Sequence, residues 1–220
     1  MDQEHCDNLD RMVRGGGSMA EGLLGGEEGR AAGRLIEQMS TVIKGQRDDM
    51  PDGFATALFS RAAPEDLLPY EARELGALAE DAWAFLMVRP LGKPKIRVES
   101  RAGLMGAEHI KAVTVIEIVN DDMPFLLDSV LGELNERGLT VRFVVHPVLT
   151  IEREPDGTLF AFRGEVAADG RATRESFIHI HVDRIENTKI EADLAKSLEQ
   201  VLADVRVCVA DWPAILARVK

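Results

Sequence analysis

The stretch from Val113 to Thr150 constrains the fold more than any other part of the chain. Val113-Thr-Val-Ile-Glu-Ile-Val119 is apolar and β-branched, the composition of a well-buried strand. After the turn Asn120-Asp-Asp-Met-Pro-Phe125, the residues Phe125, Leu126, Leu127, Val130, Leu131 and Leu134 recur at helical spacing through Arg137, and Gly138 ends the helix. Leu139-Thr-Val-Arg-Phe-Val-Val145 then reads as a second strand that runs on through His146-Pro147 to Ile151. A strand, helix and strand joined by connections this short predict a right-handed crossover onto one sheet. The Asp121–Phe125 turn is where binding or regulation is expected.

The flanks add elements to this unit. Residues 1–29 are rich in glycine and acidic residues and poor in apolar ones, so a disordered tail is expected, or an over-extended start with Met12 or Met19 as the true first residue. From Arg30, the stripe Leu35, Ile36, Met39, Val42, Ile43 predicts an amphipathic helix. A short helix follows from Phe54, and a long one from Pro64 to Arg89. Together, residues 30–89 form an expected helical subdomain with no functional signal. Ile96–Glu99 reads as a strand, with the flanking cations of an edge, and Arg101–Glu108 as a loop. Pro155-Asp-Gly157 predicts a hairpin turn into Thr158–Phe162, and Ala167–Gly170 a further turn. In Glu175–Asp183 the faces alternate, with Phe177, His179 and His181 opposite Ile178, Ile180 and Val182. Thr188 to about Val209 is a helix, and Asp211-Trp-Pro213 reads as the cap and start of another that Lys220 cuts short, as in a segment of a longer protein.

This order of elements is ferredoxin-like. The expected fold is α+β: a βαββαβ sandwich over residues 90–210, one sheet covered by two helices, preceded by the helical subdomain and followed at 211–220 by a helix leading to a further domain.

Of the 220 residues, 38 are acidic and 26 are Lys or Arg, a net charge of −12. That balance argues against nucleic acid, because phosphate binding needs clustered cations. It fits a soluble cytosolic surface. No apolar run approaches the roughly 20 residues that span a bilayer, and the N-terminus lacks the pattern of a signal peptide. Cys6 and Cys208 make neither a disulfide framework nor a zinc spacing, which fits a reducing cytoplasm.

Several residues are candidates for an effector site or an interface. Asp121, Asp122 and Asp128 cluster at a helix start with Met123, Pro124, Phe125 and Ser129. They read either as caps and complements to the helix dipole, or as carboxylates that hold a subunit or an effector's amino group. His179 and His181 share one strand face; they read as a pair of metal ligands or, with His146, as packing at the sheet face or a domain interface. Arg174 and Glu175 read as a structural ion pair, or Arg174 joins Arg142 in a fork for a carboxylate. Trp83, Trp212 and Phe177 read as anchors in the core or between domains. No Gly-rich turn between a strand and a helix, no phosphate loop and no nucleophile elbow occurs, so no catalytic residue, metal site or cofactor site is expected in this chain.

Val119-Asn-Asp-Asp-Met-Pro-Phe-Leu-Leu127, closed by Gly138 and Val141–Val145, resembles the ACT domain, a βαββαβ regulatory module that often binds amino acids. Pro124, Leu126 and Leu127 match its pattern, whereas Phe125 stands where the family usually has Gly. That Gly lets an effector approach the backbone at the helix start, so the departure tells against effector binding of that kind. Over residues 60–220, Asp121–Ser129, His146-Pro147, Arg174–His181 and Val205–Trp212 stand in the order found in the N-terminal region of large bacterial NAD-specific glutamate dehydrogenases. The resemblance implies a non-catalytic regulatory and assembly region of an enzyme converting glutamate to 2-oxoglutarate and ammonia. NAD would bind elsewhere in the full-length protein. The implied partners are the remaining domains, other subunits and a small amino-acid effector. The alternatives are a free-standing ACT-type amino-acid sensor and a structural oligomerisation module.

Overall fold

The computed structural model describes residues 26–44, 49–100, 113–164 and 170–219, with residues 211–219 described by backbone alone. Helix α1 (Glu27–Ile43) begins inside the stretch expected to be a tail, with Glu27 and Glu28 in the first turn, where carboxylates suit the helix dipole. Residues 1–25 lie outside the described residues. Helix α2 (Phe54–Phe59) follows Gly53, whose φ of 93° favours glycine. The single long helix expected from Pro64 is in fact two, α3 (Pro64–Leu67) and α4 (Ala72–Leu86). Pro69 explains the break, since it has no N–H to donate and its ring crowds the preceding turn. Helix α4 restarts with a reciprocal cap, in which the Glu71 amide donates to Glu74 Oε2 at 2.7 Å. The break also turns Tyr70 toward the sheet.

Strands β1 (Lys95–Ser100), β2 (Val113–Asp121), β3 (Val141–Val145), β4 (Val148–Arg153), β5 (Leu159–Gly164) and β6 (Thr173–Asp183) form one sheet, in which every pairing is antiparallel. The order is β1-β2-β6-β4-β5, with β3 also on β6. β6 is therefore the centre. β2 lies along one side of it, and β3 and β4 lie in line along the other. The strand expected to run unbroken through His146-Pro147 divides there because proline cannot donate to the ladder. The Pro147 carbonyl still accepts from the Phe177 amide at 3.0 Å, which holds both segments on β6. β2 and β3, each antiparallel to β6, run parallel to one another and are joined by helix α5 (Leu126–Glu136). This is the split βαβ arrangement expected of a ferredoxin-like sandwich. Beyond the expected βαββαβ order, β1 forms one edge of the sheet and the β4–β5 hairpin the other, and among the described residues no strand follows helix α6 (Thr188–Val219). The loop expected at 101–108 and residues 165–169 lie outside the described residues. Helix α6 continues past Val209 through Asp211-Trp-Pro213 without the second start expected there.

Period-two alternation assigns the two faces of the sheet. Ile116, Ile118, Ile178, Ile180 and Val182 pack against α5 and α6 through Val130, Leu134, Leu194 and Leu198. Val119, Phe143, Val145, Leu149 and Phe177 face the helical layer of α1–α4, sharing one core with Phe54, Phe59, Leu75 and Trp83. Each large side chain buried this way contributes about 1.5–3 kcal/mol. The helical part thus covers the second face of the sheet rather than standing apart from it, and Trp83 anchors it by edge contacts with Phe54 and Phe162.

The connection after α4 crosses the β4–β5 turn. The Arg89 amide donates to the Gly157 carbonyl at 3.0 Å, and the Leu159 amide to Met87 O at 2.8 Å. Gly157 has φ 88°, and a Cβ on it would collide with the Arg89 carbonyl. Gly157→Ala is expected to destabilise the chain by more than about 1 kcal/mol, read as a lower urea midpoint, whereas an unchanged midpoint would contradict this crossing.

Candidate functional site

Two clusters of buried polar groups meet β6. The first lies where β2, β4 and β6 pass under the turn leading to α5. Strand register sets Asp121 opposite Glu175 and Asn120 opposite Ser176. Two guanidiniums converge on the Glu175 carboxylate: Arg89 donates through Nε at 3.0 Å and Nη2 at 2.6 Å, and Arg153 through Nε and Nη2, both at 2.8 Å. Arg89 Nη2 also reaches Asp121 at 2.6 Å, and Arg206 of α6 closes on the other Asp121 oxygen at 2.9 Å. The charges alternate along Arg153, Glu175, Arg89, Asp121 and Arg206, although Arg89 is only 2% exposed and Glu175 1%. Remaining donors go to backbone carbonyls: Arg153 to Leu86 and Gly157, and Arg89 to Lys93. The Leu86 carbonyl is the C-terminal end of α4, where a cation complements the dipole. Burial raises the Asp121 pKa, but the bond and charge of Arg89, then those of Arg206, outweigh it and hold the carboxyl below its ordinary range.

The second cluster runs along the helical-layer face of the same strand. Tyr70 Oη lies 2.9 Å from His181 Nδ1, His181 Nε2 lies 2.8 Å from His179 Nε2, and His179 Nδ1 lies 3.2 Å from Glu117 Oε1. Arg97 Nε donates to Glu117 Oε2 at 2.7 Å, and Arg97 Nη2 pairs with Asp81. One set of tautomers satisfies the chain with neutral imidazoles: Tyr70 O–H donates to His181, His181 Nε2–H to His179, and His179 Nδ1–H to the Glu117 carboxylate. Burial pushes the Glu117 carboxyl up, yet the hydrogen bond from His179, with the charge and hydrogen bond of Arg97, keeps it below the usual range. The Tyr70 hydroxyl is pushed up to about 12 by burial and the nearby charges of Glu74 and Asp66.

Only some of the candidates read from sequence come together. Asp121 and Glu175 join the first cluster, whereas Asp122 and Arg174 pair with each other outside it. Arg174 and Glu175, adjacent on a strand, point to opposite faces, so they do not pair with each other. Arg174 pairs with Asp122 at 3.2 Å, and Asp122 also accepts from Ser176 Oγ at 2.8 Å. Neither Asp121 nor Asp122 caps α5, whose N-cap is Phe125 with no side-chain bond. Met123 packs on the core under α5 and α6, Pro124 is exposed, and Asp128 and Ser129 lie in the first turn of α5. Arg142 pairs with Asp183 at 2.7 Å, at the opposite end of β6 from Arg174, so the two cannot grip one carboxylate. The nine residue steps from Arg174 to Asp183 span roughly 30 Å of strand. His146, at the junction of β3 and β4, does not join the histidine pair; its Nε2 is buried with no hydrogen-bond partner among the described residues, and burial lowers its pKa.

Sequence reading passed over Arg89, Arg97, Glu117, Arg153, Arg206 and Tyr70. Glu117 carried a usable signal, because a lone carboxylate in an otherwise β-branched buried strand must be paired. The arginines carried none, since their positions at element ends and on a helix flank look like surface.

The arrangement consumes its charges internally. Among the described residues, no group of three or more His, Cys, Asp and Glu is placed to hold a metal ion. Neither turn from strand to helix, Asp122–Phe125 or Arg184–Asn187, contains glycine, and the first presents carboxylates, so neither fits a dinucleotide pyrophosphate. No helix of the described residues is long and apolar enough to cross a membrane.

Glu175→Gln leaves Arg89 and Arg153 buried against a neutral amide, and a loss of about 3–5 kcal/mol is expected in urea denaturation. Glu117 and Asp121 have lowered folded-state values, so their stabilisation is full above the ordinary carboxylate range of about 4 and is lost as pH falls through it. Urea midpoints followed from pH 7 to 3 should therefore fall more shallowly in Glu117→Gln than in the parent chain, whereas equal slopes would contradict the assignment.

The sequence model for the glutamate dehydrogenase ACT1 domain matches residues 54–198. The NAD-specific glutamate dehydrogenase of Halomonas elongata is 30% identical over 189 residues, which cover 85% of this chain and 12% of that protein. The enzyme of the same name from Pseudomonas aeruginosa is 28% identical over 171 residues, 76% of this chain and 10% of the relative. That from Mycobacterium tuberculosis is 24% identical over 180 residues, 77% and 11% respectively. The chain thus spans about a tenth of the length of these relatives. No solved structure matches it. With the split βαβ sheet and the turn before α5, these matches identify the chain as a member of the glutamate dehydrogenase ACT1 domain family.

Proposed function

We propose that this chain is the N-terminal regulatory and assembly region of a large NAD-dependent glutamate dehydrogenase, without catalytic activity of its own and working in the cytoplasm. Its partners are the remaining domains of that enzyme and its other subunits. The observation that carries this reading is the internal use of charge: Glu175, Asp121 and Glu117 are each held by arginine or histidine, and these pairs tie separate elements together. A residue held in this way fixes geometry, and its charge is already balanced inside the chain. The relatives' names and lengths supply the parent activity, glutamate oxidation with NAD in a polypeptide many times longer. Phe125, in place of a backbone-exposing glycine, favours this reading over a free-standing amino-acid sensor.

An antibody against residues 90–210, used on native cell extract, tests this directly. A single band far above 24.2 kDa is expected, and a band near 24.2 kDa would overturn the proposal in favour of the sensor. The purified chain, supplied with glutamate and NAD, should form no NADH; sustained NADH formation that co-purifies with the chain would contradict a non-catalytic role.

A further inference from the structure

An open groove of about 510 Å³ lies between the start of α5 and the outer flank of α6. Its lining from α6 is Val201, Asp204, Val205 and Cys208, and Phe125 and Asp128 are among the residues that face them from the start of α5. The α6 residues are spaced i, i+3, i+4 and i+7, one face over two turns, which is the spacing that meets another helix. Phe125 stands at the end of the groove. It has φ 68° and ψ 3°, the one positive φ outside glycine among the described residues, and it is 57% exposed. The left-handed region strains a phenylalanine, and more than half of its surface stays open to solvent.

We propose that this groove receives an amphipathic helix bearing Lys or Arg beside its apolar face, supplied by another part of the longer polypeptide. Charge selects this occupant. Asp128 and Asp204 sit among the apolar lining, and the Asp204 carboxylate accepts from the Gln200 amide at 2.8 Å. A second copy of this chain would set the same two carboxylates against themselves and bring together two bodies of net charge −12. The relatives, of which this chain spans 10–12%, hold ample further polypeptide to supply such a helix. The inference rests on the reading that the chain is part of a larger enzyme, and it gives that assembly role a surface.

The test uses the whole chain with Cys6→Ser, which leaves Cys208, exposed in the structure, as its single thiol. The probe is a labelled amphipathic peptide about five helical turns long, with leucines at i, i+3, i+4 and i+7 flanked by lysines. A counterpart carries glutamates in place of the lysines. The lysine peptide should bind and slow modification of Cys208 by a thiol reagent, and the glutamate peptide should do neither. Two variants at exposed positions keep the fold: Phe125→Gly, which suits the local φ, and the pair Asp128→Lys with Asp204→Lys. Each should weaken the lysine peptide by about tenfold or more. Equal binding to the parent and both variants would reduce the effect to general attraction by an acidic surface and overturn the proposal. So would a dimer in sedimentation whose Cys208 becomes reactive only in Phe125→Gly, which would make a second copy the occupant. If the blot shows a long enzyme and neither peptide binds, the groove proposal falls while the assembly reading stands.

Discussion

The grip of Arg89 and Arg153 on Glu175 is the interaction on which the rest depends. It sits where the connection after α4, the β4–β5 hairpin and the central strand β6 cross, and through Asp121 and Arg206 it reaches β2 and α6. A buried ion pair is rarely worth more than an apolar pair of the same volume, because desolvating the charges offsets most of their attraction. Its consequence is specificity. Any alternative docking of the helical layer on the sheet would leave an arginine or a glutamate buried alone, at a cost of several kcal/mol. The apolar core drives collapse, and this chain of charges selects the single arrangement in which α1–α4 cover one face.

The histidine pair extends the same logic along β6. His179 and His181 share a face with Phe177 because strand side chains alternate, and that face is the one turned to the helices. Tyr70 reaches it because Pro69 interrupts the helix one residue earlier. A break that looks like a defect in a long helix thus supplies the hydrogen bond that ends the polar chain. Arg97 and Asp81 tie the other end to β1 and α4. Both faces of the sheet are then covered, one by α5 and α6 and the other by the helical layer, whose hydrocarbon is threaded with the chain from Tyr70 through His181 and His179 to Glu117. What remains available to partners is the periphery, which includes the Phe125 groove.

Much of this was legible in the sequence. The alternation of Phe177, His179 and His181 with Ile178, Ile180 and Val182 set the two faces of β6 correctly, and Val113–Val119, the helix to Arg137 and the hairpin at Gly157 were found in place. The glycine-to-phenylalanine departure at Phe125 was visible, and its structural meaning, an aromatic residue in the left-handed region, fits what the position demands of the backbone. The partners of the charged residues were not legible. Pairing Glu175 with Arg89 and Arg153 requires knowing which strands adjoin and where a helix end lands, which is long-range information that no local pattern carries. The same holds for Arg142, whose ion pair depends on the register of β3 on β6.

Native-state hydrogen exchange, resolved to α4, β2 and β6 by mass spectrometry, tests the central claim that the buried charges join the helical layer and the sheet into one cooperative unit. If they do, protected amides in α4 and in β6 will exchange with the same opening free energy and the same denaturant dependence in the parent chain. Glu175→Gln should split them, with α4 opening at lower free energy than β6. If α4 already opens independently of β6 in the parent chain, the helical layer is a separate domain, and the role assigned here to Arg89, Arg153 and Glu175 is wrong.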